Sequence, residues 1–350
     1  MTKAVYLYPM QTPQPVTIKD IARKLGISAS TVSRALRGSA EIKEETRKLV
    51  QELAKELQYT PNPIALSLKE KRSKVIGVIV PEIANYFCSA VIAGIEDIAY
   101  NMGYHVVIFQ SHEKYEREVT NINLLASRRI DGLIISVSNE TKKGTHLAEL
   151  IDKGVPVVMF DRICDEIDTP RVVTDDAGGA YDATCHLAEQ GYRRIAHVTM
   201  APYLSVTKNR MKGYVNALKK HKIPIEKKWI VHCDFDFGNI KKALHKLLKT
   251  TPKPNAILVS SERIAIDCFE VLKEMKLRIP ADIAMVGFFD NPVCRFIDPS
   301  LTAVHQPTFD IGQSAARLLI NMIEHNALRL QYKTIELKTT MEVMASSMRK

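Results

Sequence analysis

The stretch VTIKDIARKLGISASTVSRALRG, residues 16–38, holds two short apolar-patterned segments that meet at a glycine. Ile18, Ile21, Ala22 and Leu25 recur at the i, i+3, i+4, i+7 spacing of one helix face, and Val32, Ala35 and Leu36 restart that pattern beyond the break. Gly26 stands where the first helix must stop, because a residue without Cβ takes the left-handed conformation just past a helix end at little cost. Ser28 follows as the N-cap of a second helix, and Ala22 is small enough for the two helices to cross closely at the steep angle a short turn permits. The spacing predicts a helix-turn-helix.

The second helix leaves a narrow chemical set exposed: Ala29, Ser30, Ser33, Arg34 and Arg37. Small residues let the backbone approach the floor of a DNA major groove, hydroxyls reach phosphates or base edges, and an arginine fork bonds guanine O6 and N7 together. Arg34 is therefore the predicted base reader, with Ala29 and Ser30 shaping the choice of neighbouring bases. An isolated arginine on a helix is ordinarily a solvated charge, and only the ordered pattern around this one gives it a role. Charge agrees, since residues 1–74 contain 14 Lys plus Arg against 7 Asp plus Glu, a net +7 out of +10 for the whole chain. Such asymmetry is the footprint of a polyanionic partner.

With 350 residues, 46% of them hydrophobic, the chain is long enough for two or three domains. No apolar run reaches the roughly 18 residues of a membrane span. Residues 1–15, MTKAVYLYPMQTPQP, lack an apolar core followed by a small-residue cleavage site, and their prolines predict a flexible tail. A cytoplasmic protein is expected. The six cysteines, at 88, 164, 185, 233, 268 and 294, are scattered singly and read as reduced, buried thiols. Ten histidines show no metal-ligand spacing, so neither a metal site nor a cofactor is predicted.

A third helix, from about Lys43 to Leu57, would pack Ile42, Leu49, Val50, Leu53 and Leu57 against the first two, while its glutamates keep it out of a groove. That bounds a helix-turn-helix domain at 16–61. Residues 62–73 form a hinge and linker: Pro61 and Pro63 break the preceding helix, and IALSLK makes a short helix that would order only on a partner. From Val75 onward apolar runs (VIGVIV 75–80, HVVIF 105–109, GLIIS 132–136, VPVVMF 155–160, RIAHVT 194–199, AILVS 256–260, IAMVGF 283–288) alternate with helical stretches. Two groups of four or five such strands predict two α/β subdomains with parallel sheets covered on both faces.

Nothing in those subdomains forms a catalytic constellation: there is no G-x-G-x-x-G after the first strand, no phosphate loop, no G-x-S-x-G and no H-E-x-x-H. Ligands of open α/β sheets bind at the carboxyl ends of strands. Four places there stand out: Tyr86 and Phe87 after the first strand, Asp161 and Arg162 after the fourth, Arg210 ahead of a helix in the second subdomain, and Phe289 and Asp290 after the last. Ser136, closing the third run, joins them. Aromatics stack on rings, while carboxylate and guanidinium bond hydroxyls or a ligand anion. Any one of them alone would read as a surface ion pair or a core aromatic.

The order of these parts resembles the LacI/GalR family of bacterial transcriptional regulators from about Val16 to residue 345. Residues 16–38 are similar to the family's DNA-reading signature, and TPNPIALSLKEKRSKVIGVIVPEI to its hinge and first core strand. LIDKGVPVVMFDR, VTDDAGGAYDATCHLAEQGYRRIAHVT, NRMKGY and DPSLTAVHQPTFDIGQSAARLLI continue the likeness. The resemblance implies a homodimer on double-stranded operator DNA, with a periplasmic-binding-protein-like core over 74–345. Its first subdomain would span about 74–161 plus 306–327 and its second about 175–305 plus 331–345, with crossovers near 161–175, 305 and 327–333.

Residue by residue, Leu68 would be the hinge leucine wedged between base steps in the minor groove, with Lys69 beside it and small Ala65 where two hinge helices approach. Thr17, Ser28 and Ser33 match phosphate-contacting positions and Arg34 the base-reading arginine, and Lys19 is a further expected DNA contact. Asp161, Arg210 and Phe235 match effector contacts. Two departures stand out: GFFDN puts Phe289 where many relatives begin an aspartate pair, leaving Asp290, and Ser261 and Glu262 replace Asn-Asp after AILV. Both weaken the case for a simple sugar-hydroxyl clamp. The C-terminal MEVMASSMRK lacks leucine heptads, which favours a dimer over a tetramer.

The sequence thus reads as a sequence-specific DNA-binding repressor controlled by a small molecule, a sugar or sugar derivative, and not as an enzyme. The rival reading, a ligand sensor that acts through another partner without operator recognition, is disfavoured by the intact TVSRAL signature and the hinge leucine. An enzyme with an accessory head lacks a nucleophile, metal or phosphate-loop pattern.

Overall fold

In the computed structural model, residues 16–60, 72–326 and 334–349 are described, and they fall into two units divided between Ser73 and Lys74. The tail 1–15, the hinge residues Ala65, Leu68 and Lys69, the short hinge helix and the expected crossover at 327–333 lie outside the described residues.

The first unit is a three-helix head: α1 (Ile18–Leu25), α2 (Ala29–Leu36) and α3 (Glu44–Glu56). Thr17 starts α1, where its backbone N–H and hydroxyl both donate to the Asp20 carboxylate, at 2.9 and 2.6 Å. Gly26 ends it with φ 66°, a left-handed conformation in which a Cβ would be strained. Ser28 then caps α2, its Oγ accepting from the Thr31 N–H at 3.1 Å. Ile21, Ala22, Val32, Ala35, Val50 and Ala54 form the buried core. One expected core residue is absent from it: Leu49 is 55% exposed. The inward stripe of α3 runs through Val50, Leu53, Ala54 and Leu57, and Leu49 lies to its solvent side.

The second unit contains two six-stranded sheets. Strands β1 (Val75–Val80), β2 (His105–Gln110), β3 (Gly132–Ile135), β4 (Val157–Phe160), β5 (Arg171–Thr174) and β11 (Thr334–Leu337) form the first, in the order β11-β5-β4-β3-β1-β2. Strands β6 (Ile195–Thr199), β7 (Ile230–His232), β8 (Ala256–Val259), β9 (Ala284–Phe288), β10 (Thr302–His305) and β12 (Thr340–Glu342) form the second, in the order β12-β10-β9-β8-β6-β7. All pairs are parallel except β10 with β12. Central strands such as β3, β4, β8 and β9 are buried on both faces, which is why they read as unbroken apolar runs.

Helices cover each sheet: α4 (Tyr86–Asn101), α5 (Tyr115–Ser127), α6 (Thr145–Asp152) and α11 (Thr308–Glu324) belong to the first subdomain. The second has α7 (Asp176–Glu189), α8 (Ser205–Lys220), α9 (Phe237–Leu248) and α10 (Glu262–Glu274). Each subdomain contains a glycine-mediated helix contact. A Cβ on Gly94 of α4 would collide with the Phe309 carbonyl of α11, and one on Gly213 of α8 with the Ala177 carbonyl of α7.

The chain passes between subdomains after β5, after β10 and in the two residues between β11 and β12. This shifts two expected boundaries. β5 pairs with β4, and β11 with β5, so 171–174 and 334–337 belong to the first subdomain and the third crossing falls at Lys338–Thr339. Both strands are four residues long with alternating burial, and so give no continuous apolar signal. The six cysteines are all buried and free. Among the described residues no helix is long and apolar enough to cross a membrane, and no group of side chains could hold a metal ion.

Candidate nucleic-acid interface and ligand cleft

On the head, Ser30, Arg34 and Arg37 are exposed on α2, with Ala29 and Ser33 half-buried beside them; Lys19 and Thr17 are exposed on and just ahead of α1. The Ser28 hydroxyl bonds those of Ser30 and Thr31, at 2.7 and 2.8 Å, which groups three hydroxyls at the start of α2. Arg37 Nε donates to the Ser33 carbonyl at 3.0 Å. Arg34 Nη1 meets Glu41 Oε2 at 3.0 Å. Sequence reasoning missed Glu41, which lies beyond the end of α2, where helical spacing no longer says which residues meet. Both partners are exposed, and pairs of that kind hold weakly and exchange readily.

In the core unit, charged side chains from both subdomains converge at the carboxyl ends of the strands. Asp161 follows β4 with φ 56°, in the left-handed region that aspartate tolerates better than most side chains. Ser136 Oγ donates to its carboxylate at 3.5 Å. Burial pushes the Asp161 carboxyl up to about 6, against the pull of Arg162 and Arg210. Arg162 bonds Glu113 at 2.7 Å and reaches Asp161 only at 3.9 Å. Its guanidinium also lies 5.4 Å from the Phe235 ring of the second subdomain.

From the second subdomain, Arg210 on α8 is wholly engaged. Its Nε and Nη2 bond Asp176 Oδ1, each at 2.7 Å, its Nη1 donates to the Ser260 carbonyl, and its plane lies 3.8 Å from the Phe288 ring. Asp290 Oδ1 accepts the Gln306 N–H at 2.5 Å. Burial pushes the Asp290 carboxyl up to about 7 despite that bond and Arg210, with the charges of Glu262 and Asp161 adding to the rise. Ser261 caps α10, accepting from the Ile264 N–H at 3.4 Å. Glu262 takes one bond from Asn291 at 3.3 Å, and burial raises its carboxyl. The two rims touch: Tyr203 OH donates to the Asn139 carbonyl, Ile163 N–H donates to Ser205 Oγ at 3.1 Å, and Lys208 pairs with Asp165 at 3.7 Å.

Two expected cleft residues lie elsewhere. Phe87 turns into the first subdomain's core while its neighbour Tyr86 stays exposed, and Phe289 packs in the second subdomain's core while Asp290 takes the cleft position. Glu113, Asp176 and Gln306 were missed, because each acts through a partner remote in sequence.

Comparison with known proteins fits this layout. The model for "Bacterial regulatory proteins, lacI family" matches residues 17–62, and that for "Periplasmic binding proteins and sugar binding domain of LacI family" matches residues 73–340. The chain belongs to the LacI family. It is 34% identical over 306 residues to the catabolite control protein A of Priestia megaterium, covering 87% of this chain and 91% of that protein. It is 32% identical to the ribose operon repressor of Haemophilus influenzae, covering 93% and 96%. In structure it resembles a lac repressor dimer bound to operator and an anti-inducer, with a TM-score of 0.81 over 96% of this chain and 100% of that one at 24% identity, a likeness of fold. As a LacI-family protein it is a transcription regulator with a DNA-binding head and a sugar-binding-type core, and not an enzyme.

Proposed function

We propose that this LacI-family regulator is a repressor that binds a pseudo-palindromic operator as a homodimer in the cytoplasm, released or engaged by a small ligand in the core cleft. The observation that carries ligand control is the set of buried charges contributed from both subdomains, in which Arg162 of one meets Phe235 of the other. A ligand that changes these contacts changes the relative preference of subdomain arrangements, and only such differential binding shifts a conformational equilibrium. Relatives named as a ribose operon repressor and the repressor CytR, and a CelR–cellobiose complex of the same fold, support a sugar or sugar derivative.

On the head, Arg34 reads a base while Thr17, Lys19, Ser28, Ser33 and Arg37 position the backbone, with Ala29 and Ser30 setting neighbouring preferences. By the family resemblance Ala65, Leu68 and Lys69 serve the minor groove. Two apolar patches support the dimer. Tyr100, Met102, Val107 and Ile108 are exposed at the β2 edge of the first subdomain, and Ile266, Val293 and Phe296 on the second, where Phe296 is 82% exposed. Exposed apolar side chains on and beside an edge strand suit a two-fold interface, which buries each such surface against its own copy.

Mobility shift of full-length protein on genomic fragments, with and without metabolite extract, tests the reading. A shift that the extract alters is expected, with binding that weakens steeply as salt rises. Absence of any sequence-selective shift would sink operator recognition in favour of a sensor acting through another partner.

A further inference from the structure

The charges of the cleft do not balance. Five carboxylates converge there, Glu113, Asp161, Asp176, Glu262 and Asp290, against two buried guanidiniums. Arg162 is committed to Glu113 and Arg210 to Asp176, in short bonds between buried groups. Asp161 has the Ser136 hydroxyl at 3.5 Å and Arg162 at 3.9 Å, and neither Asp290 nor Glu262 makes an ion pair, although the Arg210 charge acts on Asp161 and Asp290 from a distance. Arg263, next to Glu262, is exposed at the rim, where it donates to the Phe235 carbonyl at 2.6 Å and faces, at 5.3 Å, the ring that Arg162 also faces.

Two carboxylates and one hydroxyl of the second subdomain, at the ends of β8 and β9, are thus short of partners. Asp290 and Glu262 are close enough for each charge to oppose the other. Glu262 Oε2 is buried with no hydrogen-bond partner. Ser260, fully buried and with its carbonyl on Arg210, likewise has an unpartnered Oγ. Buried polar atoms of folded proteins are nearly always satisfied, and Glu262, with Asn291 on Oε1 and nothing on Oε2, is one donor short. A ligand that supplies the missing donors and positive charge removes that cost; one that brings another negative charge adds to it.

On the reading of this cleft as the effector site, we propose that the effector carries a cationic amine, as an amino sugar or a similarly aminated polyol does. Its ammonium bonds Glu262 and Asp290, its hydroxyls meet Asp161 and Ser260, and phosphorylated sugars are excluded. Glu262 is the residue that sets this preference. An ammonium offers three donors and a full charge to two carboxylates, whereas a neutral hydroxyl offers one donor and leaves the excess charge in place.

The test uses full-length protein and a metabolite extract of the producing cells, divided into fractions retained on a cation exchanger, retained on an anion exchanger, or retained on neither. Thermal unfolding is followed with each fraction. A raised midpoint from the cation-exchanger fraction alone is expected, with at least a tenfold loss of apparent affinity in Glu262→Gln. Should that variant fail to fold, Asp290→Asn gives the same comparison, since it removes a buried charge and keeps the shape. A raised midpoint from the neutral or anionic fraction overturns the amine while leaving the cleft as a ligand site. No rise from any fraction overturns the ligand-cleft reading itself and this proposal with it.

Discussion

Arg34 on the head and Arg210 in the cleft are both arginines paired with a carboxylate, and they do opposite work. The Arg34 and Glu41 side chains are 47% and 69% exposed, so water screens the pair and competes for both ends. Those of Arg210 and Asp176 are 4% and 2% exposed, and every guanidinium nitrogen has a protein partner. An exposed pair is weak enough for another partner, on our proposal a DNA base, to replace it. A buried pair is architecture, and it fixes where α7, α8 and β8 stand relative to the cleft. Resemblance alone would assign Arg210 a ligand; the geometry makes it first a support.

The largest effect expected from this contrast is on Arg210→Ala, which strands Asp176 as a buried, uncompensated charge and should cost about 3–5 kcal/mol of core stability. Chemical denaturation measures it, and wild-type stability in the variant would break the distinction. Pairing it with Asp176→Leu sharpens the point: the double variant should recover much of the loss, because the penalty lies in the orphaned charge.

Asp290→Asn tests the cleft from the other side. The unfolded carboxyl has its ordinary value of 3.8, while burial holds the folded one at about 7. The folded protein therefore binds the proton more tightly between those two values, and its stability declines as pH rises through that window. Asp161, held at about 6, acts in the same direction. His197, fully buried and pushed down to about 4 by burial, acts oppositely, losing stability as pH falls from 6.5. The wild-type-minus-variant difference isolates the carboxylate: Asp290→Asn should gain up to a few kcal/mol at pH 8 and little at pH 4. Thermal midpoints across that range check it, and a pH-independent difference would contradict the burial of an unpaired charge.

The same contrast between exposed and buried chemistry governs how much the sequence revealed. The two helices of the motif were legible, because Gly26 and Ser28 act on atoms within a few positions of themselves, whereas the cap at Thr17 was not read. The central strands were legible because burial on both faces writes an unbroken apolar run. β5, β7 and β10–β12 were not, being three or four residues long and mostly at sheet margins. In the cleft, Asp161, Arg162 and Asp290 followed from the rule that strand ends carry ligands. Phe289 did not belong with them, since consecutive residues of extended chain point to opposite sides and this one took the core. Glu113 and Asp176 were invisible because their partners lie 49 and 34 residues away.

Two substitutions on the head complete the comparison. Arg34→Ala should relax selectivity at one base position and cost about 1–3 kcal/mol in operator binding, with little change in head stability. Selection on randomised operators reads this, and unchanged selectivity would move base recognition elsewhere on α2. Glu41→Ala should do the least. The pair it breaks is exposed at both ends, so the head should lose no more than about 1 kcal/mol. Arg34 no longer has to leave a carboxylate to reach a guanine, so operator affinity should hold or rise slightly, and its salt dependence should be kept. A marked loss of affinity in Glu41→Ala would mean that the carboxylate orients the guanidinium for its base, which would make the exposed pair as architectural as the buried one.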